Sequence, residues 1–325
     1  MTVTRRDFLY LAGTGVAAIA TPPSAIAQSY PARPVRVIVP FAPGGIDVIM
    51  RLLAPKLSER LGQQFIVENV AGGGASIGSV QAAHAPPDGY TILFTAPAFV
   101  IFPALHDKVP YRPLEDFHPV TEVATASMVL LVNPSVKATT VKQLVARIKV
   151  NPRQYSFASA GVGTPPHLTG ELFRQSLNLL DLVHVPYQSG GEAVGSVIAG
   201  HTPMCFAAAA PAVAQVKAGK LRALAVAANK RLTALPDVPT MAEAGYAGIE
   251  GELWCGMLVP AKTPKDVITR LHTEVVRVIG EPEIRERMTA NGYTPVGNTP
   301  DEFGQQISAE LKKWDKVVRV AHIKA

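Results

Sequence analysis

Two α/β lobes joined by a pair of crossovers are the fold this sequence predicts, and three observations predict it. At 325 residues the chain is long enough for about two domains, each able to bury its own core. Short runs rich in β-branched residues alternate with segments of helical period, the order expected of a largely parallel sheet covered on both faces. The alternation pauses after about residue 95 and starts again near residue 128, so the sheet is expected in two parts. With 26 glycines and 28 prolines, many of the connections should be tight turns.

In order, Val35–Val39 reads as a buried strand, followed by the turn Pro43-Gly44-Gly45 and a helix from Val48 to Leu61. Met50, Leu53, Ala54, Leu57 and Leu61 fall on one face of that helix. Phe65–Val70 is the second strand. Gly72-Gly73-Gly74 breaks it, Ile77–Ala85 is helical, and Thr91–Thr95 is the third strand. In the second part, Met128–Val132 is extended, Val141–Val150 helical and Ser156–Ser159 a strand entering the turn Gly161–Gly163. A helix starts near Pro166, since proline suits a first helical turn. Leu182–Pro186, Met204–Ala207 and Leu221–Ala227 are strands, with helices over Glu192–Ala199 and Ala212–Ala218 between them. Gly200 and Gly219 end those helices. Trp254–Val259 is extended, and Pro264–Ile279, Glu281–Ala290 and Pro300–Val320 are helices. The last carries a stripe of Phe303, Ile307, Leu311, Trp314 and Val318 at three- and four-residue spacing, which is a core face. The first lobe is therefore expected over 28–128 and 252–325, the second over 129–251, with a hinge where the chain crosses.

Residues 1–27 are expected to be an export leader rather than part of the fold. Thr4-Arg5-Arg6-Asp7-Phe8-Leu9 has the form of a twin-arginine signal, an apolar stretch runs from Phe8 to Ala20, and Ala25-Ile26-Ala27 supplies a small-x-small cleavage site. The apolar stretch is too short for a membrane span, which needs about 20 residues. The leader takes two arginines and one aspartate with it, which lowers the net charge from +6 to +5. The remaining basic residues are scattered, with no aromatic-interleaved run of the kind a nucleic-acid groove uses, so no nucleic acid is expected as a partner.

Several chemistries are excluded by missing patterns. There is no Gly-x-x-x-x-Gly-Lys-Ser/Thr phosphate loop, no Gly-x-Ser-x-Gly elbow and no His-Glu-x-x-His. Gly72 and Gly74 are followed by Ile77, and Gly161 and Gly163 by Pro166, where a dinucleotide fingerprint needs its third glycine. The eight histidines never pair at metal-ligand spacing. Neither a cofactor nor a metal is expected. Cys205 and Cys255 are too few for a structural zinc site, and the sequence leaves open whether they pair. What remains is three strand-to-helix turns rich in Gly, Ser and Thr: Pro40–Asp47, Ala71–Gly78 and Ser159–Thr164. A helix start leaves up to four amides unpaired and carries about half a positive charge, and glycine lets a ligand approach the backbone. Two such turns facing each other would clamp an anion with no basic side chain.

The phrases Tyr30-Pro31-Ala32-Arg33-Pro34-Val35-Arg36, Val39-Pro40-Phe41-Ala42-Pro43-Gly44-Gly45, Pro86-Pro87-Asp88-Gly89-Tyr90-Thr91, Val183-His184-Val185-Pro186-Tyr187 and Pro236-Asp237-Val238-Pro239-Thr240 stand in an order that resembles the Bug family of periplasmic solute receptors. That family is the extracytoplasmic component of tripartite tricarboxylate transporters. The resemblance runs from Tyr30 to about Val320. It implies a periplasmic binding protein of the type II-like, Venus-flytrap kind, which closes two lobes on a small carboxylate and feeds a membrane transporter or a sensor. It implies no catalysis, and a monomer is expected. Carried onto this chain, it implies first-lobe contacts from Phe41, Gly44, Gly45, Asp47, Ser76, Thr95 and Ala96. Second-lobe contacts would come from Ser159, Ala160, Gly161, Gly163, Thr164, Tyr187 and Gln188, with Ala207 and Ala208 nearby. The chain departs from the family's pattern where Ile46 alone separates Gly45 from Asp47, and where Ala207 stands in place of an acid after Phe206. These departures, together with a third-strand loop Thr95-Ala96-Pro97-Ala98-Phe99 where the family carries more Ser, Gly and Thr, make the distal pocket more apolar, so a ligand with one captured carboxylate and an apolar or aromatic body is expected. The alternative is an exported enzyme acting on a small organic acid, with Asp47, His167 or Tyr187 as acid or base; turnover assays would separate the two.

Overall fold

The computed structural model describes residues 30–321 and 323. The leader expected over 1–27 lies outside the described residues. In chain order the elements are β1 (Val35–Val39), α1 (Ile46–Leu61), β2 (Phe65–Asn69), α2 (Ser76–Ala83), β3 (Thr91–Thr95), α3 (Ala98–Leu105) and β4 (Phe117–Val132). They continue with α4 (Val141–Val150), β5 (Ser156–Ser159), α5 (Pro165–Ser176), β6 (Val183–Pro186), α6 (Gly190–Ala199), β7 (Met204–Ala208), α7 (Ala209–Lys217) and β8 (Arg222–Ala227). The chain returns through β9 (Glu252–Pro260), α8 (Lys265–Gly280), α9 (Pro282–Ala290), β10 (Thr294–Pro295) and α10 (Pro300–Val320).

One strand, β4, organises the two-lobe α/β fold. Its first eleven residues, Phe117–Ser127, lie antiparallel to β9, which pairs with β3, and β3, β1 and β2 are parallel. From Met128 to Val132 it leaves β9 and pairs antiparallel with β7 on one side and β8 on the other, while β5 runs parallel to β7 and β6. The change of partner falls between Ser127, opposite Glu252, and Met128, opposite Ala208. The returning chain crosses at the same level: the Gly251 amide donates to the Ala227 carbonyl, and the Met128 amide donates to the Gly251 carbonyl. Gly251 lies so close to α5 that a Cβ would fall 1.9 Å from the Thr169 hydroxyl. Pro119 is tolerated within β4 because the register shifts there, and a bulge needs no ladder amide from it.

Alternation along the strands sends side chains to both faces of each half of the sheet. Val35, Val37 and Val39 pack with α1, α8 and α9, whereas Ile38 joins Leu93, Leu258 and Trp254 under α3 and α10. In the other half, Leu130 and Val132 face α4 and the Phe173 side of α5, while Val129 and Leu131 face α6 and α7. Each large side chain fully buried in this way contributes about 1.5–3 kcal/mol. The α10 stripe is buried at Phe303, Ile307, Trp314 and Val318, and the helix opens on a capping box between Thr299 and Glu302. Cys205 and Cys255 are both free and buried, in different packing clusters. Among the described residues no helix is long and apolar enough to cross a membrane.

Several elements differ from the sequence reading, among them α7, which begins at Ala209 rather than Ala212, and β10, which was not expected. The helix α3 falls in the stretch to which the sequence reading assigns no element; Pro97 is its N-cap, and Tyr111 donates to the Phe99 carbonyl. β4 is 16 residues long rather than five, its first part being less uniformly apolar than Met128–Val132. Finally, α6 begins at Gly190, two residues before the expected start, because Ser189 caps it by accepting from the Glu192 amide.

Candidate functional site

Two cavities lie between the halves of the molecule and meet at Thr164. The larger in apolar character has a volume of about 570 Å³. Its walls are Gly45 and Val48 at the start of α1; Ala126 and Met128 on β4; Ala160, Thr164, Pro165 and Pro166 ahead of and within α5; and Gly190, Gly191, Ala193 and Val194 on α6. Phe206–Ala208, Leu253 and the turn Asn291-Gly292-Tyr293 complete it. The other, about 580 Å³, is lined by Pro40–Ala42, Ala71–Ala75, Ala98, Ile101, Phe102, Leu105 and His106 from one half, and by Val162–Thr164 from the other. All three glycine turns singled out from the sequence thus open onto shared space. Among the described residues no Lys, Arg, Asp or Glu lines either cavity, and His106 is the one titratable side chain there besides Tyr293.

Three helices begin at the wall of the apolar cavity, and the local sequence makes them unequal. α1 follows Gly45, whose φ of 55° and ψ of −124° only glycine adopts readily, and the amides of Gly45 and Ile46 have no hydrogen-bond partner among the described residues. α6 follows Ser189, whose side chain takes the Glu192 amide and whose carbonyl takes the Ala193 amide, while those of Gly190 and Gly191 have no partner among the described residues. α5 begins Pro165-Pro166, which removes two donors and offers two apolar rings instead. The cavity therefore combines two electropositive helix starts with walls of Val, Ala, Met, Pro, Phe and Leu.

The residues implied by the family resemblance divide into three groups. Gly45, Ala160, Thr164, Ala207 and Ala208 line the apolar cavity, and Phe41, Gly163 and Thr164 the glycine-rich one. Asp47, Ser159 and Tyr187 have their polar groups engaged just behind the walls. The Asp47 carboxylate is 3% exposed and accepts from Arg51 Nε at 3.0 Å, Asn69 Nδ2 at 2.9 Å and the Gly44 amide at 3.4 Å. Burial pushes its pKa up, and the hydrogen bonds from Arg51, Asn69 and Gly44 outweigh this, leaving it below the usual carboxylate range. The Tyr187 hydroxyl bonds Ser196, and the Ser159 hydroxyl is shared between the Gly161 backbone and His184. Gly44, Ser76, Thr95, Ala96, Gly161 and Gln188 line neither cavity; Thr95 is fully buried, with a hydroxyl that has no partner among the described residues. Sequence reasoning missed Gly190 and Gly191, although the Ser189-x-x-Glu192 spacing marks a helix start there, and missed the Asn291–Tyr293 turn, which carried no signal.

The architecture is shared with known proteins. The chain is 37% identical over 309 residues, 94% of its length and 92% of the relative's, to the "UPF0065 protein in tcbD-tcbE intergenic region" of Pseudomonas sp. (strain P51). It superposes on the solved periplasmic binding protein BugD with a TM-score of 0.75 at 32% identity, covering 91% of this chain and 99% of that one. With R. palustris Rpa4515, solved with adipate, the TM-score is 0.78 at 31% identity over the same shares of the two chains. Residues 49–323 match the model of the tripartite tricarboxylate transporter family receptor, TctC. A two-lobe sheet sharing one long strand, a cleft walled by glycine turns and this run of matches lead to one assignment: the chain belongs to the TctC, or Bug, family of tripartite tricarboxylate transporter receptors.

Proposed function

We propose that this chain is a periplasmic receptor, exported by a twin-arginine leader, that closes on a carboxylic acid with one captured carboxylate and an apolar or aromatic body. In this reading it acts as a monomer and passes the acid to a membrane transporter or signals its presence. The hinge lies where β4 changes partner, with lobes over 28–128 plus 252–325 and over 129–251. The observation that carries the reading is the apolar cavity, where the amides of Gly45 ahead of α1 and of Gly190 and Gly191 on α6, unpaired among the described residues, are the anion donors and no charged side chain among the described residues lines the wall. Closure removes water from around these amides and strengthens each bond. A micromolar Kd corresponds to about −8 kcal/mol, within reach of several charge-assisted bonds and a buried hydrocarbon body. The enzyme alternative loses its support, since Asp47 and Tyr187 are engaged behind the wall and His167 is 3% exposed.

The test exploits the first position of α6. Gly190→Pro deletes one amide at a place where proline fits: a helix N1 position, preceded by an extended Ser189, with no atom within 4 Å of a Cβ. Calorimetry with benzoate, adipate and citrate should show the wild-type chain binding at least one acid, benzoate most tightly. Gly190→Pro should lose roughly tenfold or more while melting normally. Undiminished affinity in the variant would refute the amide clamp, and tighter citrate than benzoate would refute the apolar body.

A further inference from the structure

Behind the Gly161–Thr164 turn, which touches both cavities, two imidazole rings are stacked face to face. His167 on α5 and His184 on β6 have centroids 3.9 Å apart with 26° between their planes, and Phe157 extends the stack on the His184 side at 4.9 Å. His167 is 3% exposed. Each ring holds one end of the turn. His167 Nδ1 accepts from the Gly163 amide at 3.0 Å. His184 Nε2 bonds the Ser159 hydroxyl at 2.7 Å, and that hydroxyl accepts from the Gly161 amide at 3.1 Å. Between them Thr164 Oγ1 donates to the Gly161 carbonyl at 2.7 Å.

We infer that His167 and His184 are positioning residues: a neutral, stacked pair that fixes the Gly161–Thr164 turn in the shape the ligand meets, without touching the ligand. The hydrogen bonds define the protonation. An Nδ1 that accepts carries no proton, so the His167 hydrogen sits on Nε2, which looks toward Glu171 Oε1 at 3.8 Å. The groups facing the pair are Glu171, Arg174, Ser159 and the partner imidazole; Arg174 holds Glu171 at 2.7 Å. Burial is the main reason that neither ring protonates, followed at His167 by His184 and then the charge of Arg174, and at His184 by Arg174. Without the His167 acceptor the Gly163 amide would be left unpaired, and Gly163, at φ 77° and with Leu105 across the cleft 2.6 Å from where a Cβ would lie, has little room to find another arrangement.

This assignment rests on the receptor reading, and the experiment separates the two. His167→Phe preserves ring stacking and volume but has no acceptor; His167→Asn restores an acceptor at the δ position. With benzoate and adipate as probes, His167→Phe should bind roughly tenfold more weakly than wild type. His167→Asn should recover most of the loss, with melting curves comparable throughout. Equal affinity of His167→Phe and wild type, or equal loss in both variants, would overturn the positioning role and leave the receptor reading standing; no binding of any acid by the wild-type chain would sink the receptor reading instead. Imidazole ¹⁵N spectra of the unsubstituted protein test the geometry even if a variant fails to fold. His167 should show a bare Nδ1 and a protonated Nε2 from pH 8 to pH 5, and a ring that carries its proton on Nδ1, or charges by pH 6, would refute the assignment.

Discussion

At the scale of single residues, the site is built on groups whose role is to hold backbone rather than to meet a ligand. Asp47 is the clearest case. The family resemblance implies a contact there, yet its carboxylate ties together Gly44, Arg51 and Asn69, and Asn69 also donates to the Phe41 carbonyl. Asp47→Asn keeps the size but gives up an acceptor and the charge that Arg51 pairs with. It should lower stability by about 1–3 kcal/mol in a thermal or urea melt and weaken acid binding by loosening the Phe41–Asp47 turn. A variant as stable as the parent would remove Asp47 from this role. The turn itself was legible, since Pro-Gly-Gly before a helical period has few other readings. Which of its side chains face inward was not, because that depends on Asn69 arriving from β2, a neighbour distant in sequence.

At the scale of elements, the three helix starts at the apolar cavity do different work. α5 contributes proline rings, α1 contributes amides released by a glycine in an unusual conformation, and α6 contributes amides organised by a serine cap. Ser189→Ala should cost about 1 kcal/mol of stability through the lost cap. It should also reduce acid affinity, because the Glu192 amide and the first turn of α6 would no longer be fixed; a calorimetric affinity unchanged beside a lowered melting point would confine Ser189 to a structural part. Strands and helices with strong periodicity, such as β1, α4 and α10, were legible to within a residue or two. α3 was hidden by its prolines, and the first part of β4 by mixed polarity that arises because Thr121 and Glu122 serve contacts with the Asn298 segment.

At the scale of the whole molecule, two buried groups of titrating side chains give stability pH dependences of opposite sign in overlapping windows below about pH 7. Glu122, on β4 beneath α10, has one carboxyl oxygen without a partner among the described residues; burial first, and then the nearby Glu252 and Glu310, push its pKa to about 7. The folded chain therefore holds this proton where the unfolded chain has released it, and its stabilising contribution, full below about pH 4.5, is lost as pH rises through 7. His167 and His184, depressed to about 3 and about 4, act conversely: their contribution is complete above pH 6.5 and drains away as pH falls toward 4. The two contributions oppose each other near pH 6, so the test is a difference: the melting temperature of Glu122→Gln relative to the parent should climb between pH 6 and pH 8, with the acid limb left in place, and a difference that does not change with pH would rule Glu122 out. The two-part sheet was predictable from the restart of the α/β pattern. That a single strand would belong to both parts was not, since nothing in a sequence marks where a strand exchanges neighbours. This sharing sets how the protein can be dissected. An excised piece of either half would take β4 from the other or leave behind a bare strand edge, the kind of surface on which chains aggregate, so the hinge proposed above would have to bend one continuous ribbon rather than rotate separable bodies.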